Sequence, residues 1–135
     1  MVGLEYKTGG LRINPRDLRF DGNNPYYAPH KFIVGVSGNA LAIYVGLGER
    51  HRDVAEMFNI PGKRVGGGSF YLNCHGELML NDYSGAYKGV PKIVAQKFAE
   101  LLLPELEKLD VKVEGVVVNP DERHLNPFWI DKCEV

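Results

Sequence analysis

Cysteine is scarce in this chain. Its 135 residues hold Cys74 and Cys133, which are far apart and make no CxxC pair. Their number and spacing predict reduced thiols, as in a cytoplasm, rather than a disulfide. Long apolar runs are also lacking: "LAIYVGLG" (41–48) is short and punctuated by glycine, well under the ~18 residues of a membrane span. The N-terminus "MVGLEYKTGG" has no basic region followed by an apolar run, so no signal peptide is expected. Neither charge is in surplus. Sixteen basic and 17 acidic residues leave a net charge of -1, which argues against a general binder of nucleic acid or anionic membrane. His30, His51, His75 and His124 share no metal-ligand spacing with the cysteines, and GxSxG, HExxH and paired-carboxylate patterns are missing. Neither a metal nor a cofactor is expected.

What is present suits one domain over 1–135, since 44% hydrophobic and 24% charged residues are ordinary values for a globular protein. "LEYKTGGLRI" (4–13) predicts an N-terminal hairpin turning at Gly9-Gly10. A turn-rich stretch dense in Pro, Asn and Gly follows. "KFIVGVS" and "ALAIYVG" flank Gly38-Asn39, a strong hairpin signal. "ERHRDVAEMFN" (49–59) reads as a short helix with Val54, Ala55, Met57 and Phe58 on its apolar face. "SFYLN" and "ELMLND" flank Cys74-His75-Gly76 as a further hairpin. Val90-Pro91 opens the longest helix, with Ile93, Val94, Phe98, Leu101 and Leu102 at helical spacing. Pro104 predicts a kink or a restart. "VKVEGVVV" (111–118) predicts a final strand deep in the sheet. The fold class is α+β: one mixed sheet of about six strands flanked by two helices.

"KRVGGGSFYLN" (63–73) poses the sharpest local question, because three adjacent glycines lose much backbone entropy on folding. A tight bend into a strand is the plainer reading, and a concave cradle of backbone N–H groups for an anion is the other. A P-loop does not fit, because "GK" precedes the glycines and a strand follows. His51 lies between Arg50 and Arg52 at a helix start, where cations are unfavourable unless an anion is near. A solvated basic face is the plainer alternative. Tyr83-Ser84-Gly85-Ala86-Tyr87 places small residues and a hydroxyl ahead of the second helix, an arrangement that attracts phosphate, although a capped turn would look alike.

In order along the chain, these pieces resemble the Janus/Ocnus family of small phosphohistidine phosphatases. "VGGGSFYLNCHGELMLNDYSGAYKGVPKIVAQKF" carries the likeness most strongly, with His51 in "RHRDVAEMF" and Lys31 in "HKFIVGV" at corresponding places. The likeness spans about residues 31–118. It leaves 1–30 as a hairpin-and-loop extension and 119–135 as a C-terminal tail. The resemblance implies a phosphohistidine-phosphatase-like fold with His51 as general base. Lys31, Gly67, Gly68, Ser69, Ser84, Gly85 and Ala86 would then hold the phosphoryl oxygens. The family commonly has an arginine where this chain has Ser69, and another on the strand that here carries Ile43 and Tyr44. Arg50, Arg52, Arg64 and Lys88 are the candidates for supplementary charge.

The leading expectation is thus a phosphoryl-group-binding domain that hydrolyses phosphohistidine or another phosphoramidate. The alternative is a non-catalytic module for a phosphorylated protein or a small phosphorylated metabolite. A third, compatible reading has the terminal extensions, with Phe128 and Trp129, building a homodimer.

Overall fold

The computed structural model of the chain describes residues 5–19, 30–48, 50–81 and 92–119. Among them are six strands: β1 (Glu5–Leu11), β2 (His30–Ser37), β3 (Ala40–Leu47), β4 (Lys63–Leu72), β5 (Glu77–Asn81) and β6 (Gly115–Asn119). The helices are α1 (His51–Phe58) and α2 (Lys92–Lys108), with a short 3-10 turn at Pro15–Asp17. The strands form one sheet in the order β1-β3-β2-β4-β5-β6. Its four central strands pair antiparallel, whereas β1 and β6 are each parallel to their neighbour. The architecture is α+β: a mixed sheet with one helix on each face.

Side-chain alternation in β2 divides the core between those faces. Phe32 and Val34 point towards α2 and join Phe70, Leu72, Leu78, Leu80, Phe98, Leu102 and Leu106 in the larger cluster. Ile33 points the other way and packs with Ala42, Tyr44 and Ile60 against Val54 and Ala55 of α1. Continuous apolar runs in β2 and β3 follow from burial on both faces. Gly38, at φ 61, makes the turn between them in a backbone region that disfavours a side chain. α1 ends at Asn59, which is left-handed at φ 47 and ψ 57. The turn into β4 is completed at Gly62, with φ 75, where a Cβ would collide with the Val36 carbonyl oxygen.

Five expectations need correction. There is no N-terminal hairpin in 5–11: β1 runs straight through Gly9-Gly10 with a register shift there. The glycines serve packing, because a Cβ on Gly9 would enter the Tyr44 ring and one on Gly10 the Phe58 ring. Gly66–Gly68 are not a bend into a strand but lie inside β4, opposite Val34, Ile33 and Phe32. α2 neither breaks nor restarts at Pro104; that residue faces solvent while Leu102 and Leu106 keep the buried stripe continuous. β6 forms over 115–119 only and lies at the end of the strand order, with Val116 39% exposed, rather than deep in the sheet.

The fifth concerns Cys74, in the turn between β4 and β5, which is disulfide-bonded. Bridging depends on separation in the fold and not along the chain. The cysteines therefore give no indication of a cytoplasmic compartment. The chain's other cysteine, Cys133, lies outside the described residues. Among the described residues, no helix is long and apolar enough to cross a membrane.

Candidate functional site

α1 begins against the sheet, and its first residue is the functional candidate. His51 occupies the first turn because Asp53 fixes the helix start: its Oδ2 accepts the Arg50 backbone N–H at 2.9 Å, and its own N–H donates to the Arg50 carbonyl at 3.0 Å. The His51 ring is thereby laid over β4, 5% exposed. Its Nε2 bonds the Gly68 carbonyl oxygen at 2.8 Å. A carbonyl can only accept, so neutral His51 carries its proton on Nε2 and its lone pair on Nδ1.

The glycine triplet makes this contact geometrically available. A Cβ on Gly67 would stand 2.7 Å from the Phe32 carbonyl oxygen and 2.9 Å from His51 Cδ2. Either distance is too short for real atoms, so the imidazole occupies the space that a side chain at 67 would fill. This answers the question posed by the sequence. The glycines let a ring approach the sheet, and the carbonyl beside them fixes that ring's tautomer.

Lys31 shares the same face of the sheet. It follows the first residue of β2 and pairs with Ser69 on β4 and Gly46 on β3, so small residues flank it on both sides. Lys31 is 4% exposed and Ser69 is 1% exposed, and such burial of a lysine is uncommon. Burial pushes the Lys31 ammonium below its ordinary pKa, with the Asp53 carboxylate opposing that shift. Burial likewise lowers His51 to about 4; the Gly68 hydrogen bond opposes the shift and the nearby Lys31 charge adds to it. At neutral pH the imidazole is therefore uncharged beside a buried amine.

The structure thus gathers His51, Lys31, Gly67, Gly68 and Ser69. Arg50 and Arg52 are exposed, and the guanidinium of Arg50 lies 3.9 Å from Asp53 Oδ1. Arg64 pairs with Gly35, four residues along β2 from Lys31, or roughly 13 Å at the rise of a strand. It is not part of the cluster. Ser84, Gly85, Ala86 and Lys88 lie outside the described residues. Where the resembled family has its second arginine, Ile43 is fully buried beneath α2 and Tyr44 packs beneath α1.

Two residues of interest escaped the sequence reading. Asp53 belongs to the helix start, and its signal was an acidic residue three positions after Arg50. His30, also fully buried, lies on the opposite face beside Phe70, with ring centroids 5.4 Å apart. Its Nε2 accepts the Asn14 backbone N–H at 3.0 Å, and burial lowers its pKa to about 4. No local pattern signals that role. Among the described residues, no group of three or more His, Cys, Asp or Glu side chains could hold a metal ion. No protein-family model, curated protein or solved structure matches this chain.

Proposed function

We propose that the chain is a phosphoryl-group-binding domain that hydrolyses phosphohistidine or a related phosphoramidate, with His51 as general base. The observation that carries this reading is the meeting of His51 and Lys31 on one sheet face, with the imidazole's Nε2–H engaged by Gly68. Nδ1 would take a proton from water as the oxygen attacks phosphorus. The P–N bond breaks and the leaving nitrogen takes up a proton. Negative charge spread over the equatorial oxygens would be met by the Lys31 ammonium and by the hydroxyl of Ser69, its partner on β4. An imidazole held near pKa 4 is a weak base in the empty site, but a bound phosphoryl dianion raises it by opposite charge. The sequence's resemblance to the Janus/Ocnus phosphatases supports the same assignment.

The test is hydrolysis of phosphoramidate and of a phosphohistidine peptide by wild type and His51→Ala. Loss of a general base predicts a fall of about 10²-fold or more in kcat. Equal rates, or no hydrolysis by either protein, defeats the catalytic reading. The second reading, a binding module without turnover, is favoured by one observation. Ser69 and the apolar stretch around Ile43 and Tyr44 stand where the family commonly has arginines, so two bidentate phosphate clamps are missing from those places. Sulfate titration followed by amide NMR separates the two readings. Shifts at Gly67, Gly68 and Ser69 without turnover select the module.

A further inference from the structure

Segment 12–19 crosses one end of the sheet and is fastened to three strands in turn. The Arg12 N–H donates to the Val45 carbonyl of β3 at 2.8 Å. The Asn14 N–H donates to Nε2 of His30 on β2 at 3.0 Å, and the Leu18 carbonyl accepts the Leu72 N–H of β4 at 2.8 Å. These contacts follow the strand order β3-β2-β4. Leu18 is fully buried and joins the larger core cluster. Asn14 uses its side chain within the segment: Oδ1 accepts the Arg16 N–H at 3.1 Å, and Nδ2 donates to Asp17 Oδ2 at 2.8 Å. The central fastening is thus a backbone donor on an imidazole, and of the three acceptors only that ring can take up a proton.

The ring atom that accepts this bond is also the one that titrates. With Nε2 accepting, neutral His30 carries its proton on Nδ1, which is buried and has no hydrogen-bond partner among the described residues. A second proton must land on Nε2. There it confronts the Asn14 N–H and leaves a charged, buried ring with two unsatisfied donors, a costly state. His51 behaves differently, because its Nε2–H already donates to Gly68 and a proton added at Nδ1 leaves that bond standing. Of the charges acting on His30, Asp17 on the segment favours the protonated ring and Lys31, next along β2, opposes it; burial outweighs both. β3 and β4 set Leu47 and Phe70 opposite His30, and the Phe70 ring meets Phe98 of α2 at 5.6 Å. We propose that 12–19 is an acid-released strap with His30 as its latch: protonation of Nε2 breaks the Asn14 bond, and the strap lifts Leu18 off a sheet that stays folded.

Opening restores an ordinary imidazole. His30 titrates near 6.5 when the strap is open and about 4 when it is closed, so the opening constant rises by up to about tenfold per pH unit as pH falls between those values. Native-state hydrogen exchange of the full chain, followed by NMR and corrected for intrinsic rates, measures this. Protection of the Asn14 and Leu72 amides should fall by about tenfold per pH unit over that range, while Val34 and Ile43, in the middle of the sheet, stay far better protected. His30→Gln offers a side-chain oxygen to the same N–H and cannot titrate, so the slope at Asn14 and Leu72 should vanish. Two results in wild type overturn the latch whether or not the variant folds: protection of Asn14 and Leu72 that is independent of pH, or protection lost only together with that of Val34 and Ile43. A folded His30→Gln with the wild-type slope overturns it as well.

Discussion

Gly67 shows how one missing side chain determines what its neighbours do. With the Phe32 carbonyl and the His51 ring both inside 3.0 Å of any Cβ built there, Gly67→Ala must push the imidazole off Gly68 or displace β4. Overpacking of this kind costs about 1–3 kcal/mol. Urea denaturation should show that loss, and the His51 ring signals should move as its hydrogen bond lengthens. An alanine variant as stable as wild type, with an unmoved ring, would contradict this account. The two buried histidines give a second expectation. His30 and His51 are each lowered from 6.5 to about 4, so between those values the unfolded chain binds more protons than the folded one. Their contribution is complete above pH 6.5 and shrinks as pH falls towards 4, by about 1.4 kcal/mol per pH unit for each fully titrating ring. Denaturant midpoints at pH 7.5, 6 and 5 should decline in that order. At this scale the sequence revealed candidates but not their relations. His51 was visible from its arginine neighbours and the family likeness. That its ring lies over Gly67 depends on how α1 docks on β4, and no local pattern encodes that.

Elements were legible where their signal was local. Gly38-Asn39 between two apolar runs foretold the β2–β3 hairpin, and the helical spacing of Val94, Phe98 and Leu102 foretold α2. β1 was misread because a glycine pair has two uses, and only the Tyr44 and Phe58 rings, distant in sequence, reveal which applies. α2 also carries a testable burden. Pro104 sits in the interior of a 17-residue helix, where it lacks the N–H that would bond one turn back and its ring crowds that carbonyl. It is exposed, so Pro104→Ala removes the penalty without touching the core. Stability should rise by roughly 1–3 kcal/mol on the helix-propensity scale, read as a higher Tm. A lower Tm would mean that the proline supports the packing of Leu102 and Leu106.

At the scale of the molecule the two faces are unequal. The α2 side buries a large cluster with two ring contacts at Phe98, to Phe32 at 4.6 Å and Phe70 at 5.6 Å. The α1 side rests on a cluster of six buried residues, two of which, Val54 and Ala55, belong to the eight-residue helix itself, a length that is marginal without its packing. Hydrogen exchange should therefore show α1 amides exchanging through local opening, well before those of α2. Equal protection of the two helices would refute that ranking. His51 thus rides on the less strongly anchored layer, and Lys31 on the central sheet. Fold class was readable from the run of hairpins and helices. The strand order was not, because β1 joins β3 and β6 joins β5 by parallel pairing across long intervening segments.

That arrangement of the margins bears on biosynthesis. The four inner strands fall into two neighbouring hairpins that meet along β2 and β4, so they can assemble almost as soon as each is made. Of the described strands β1 leaves the ribosome first, yet its sole strand neighbour among the described residues is β3, still to be translated. That strand must wait without its partner until the second arm of the β2–β3 hairpin arrives to receive it.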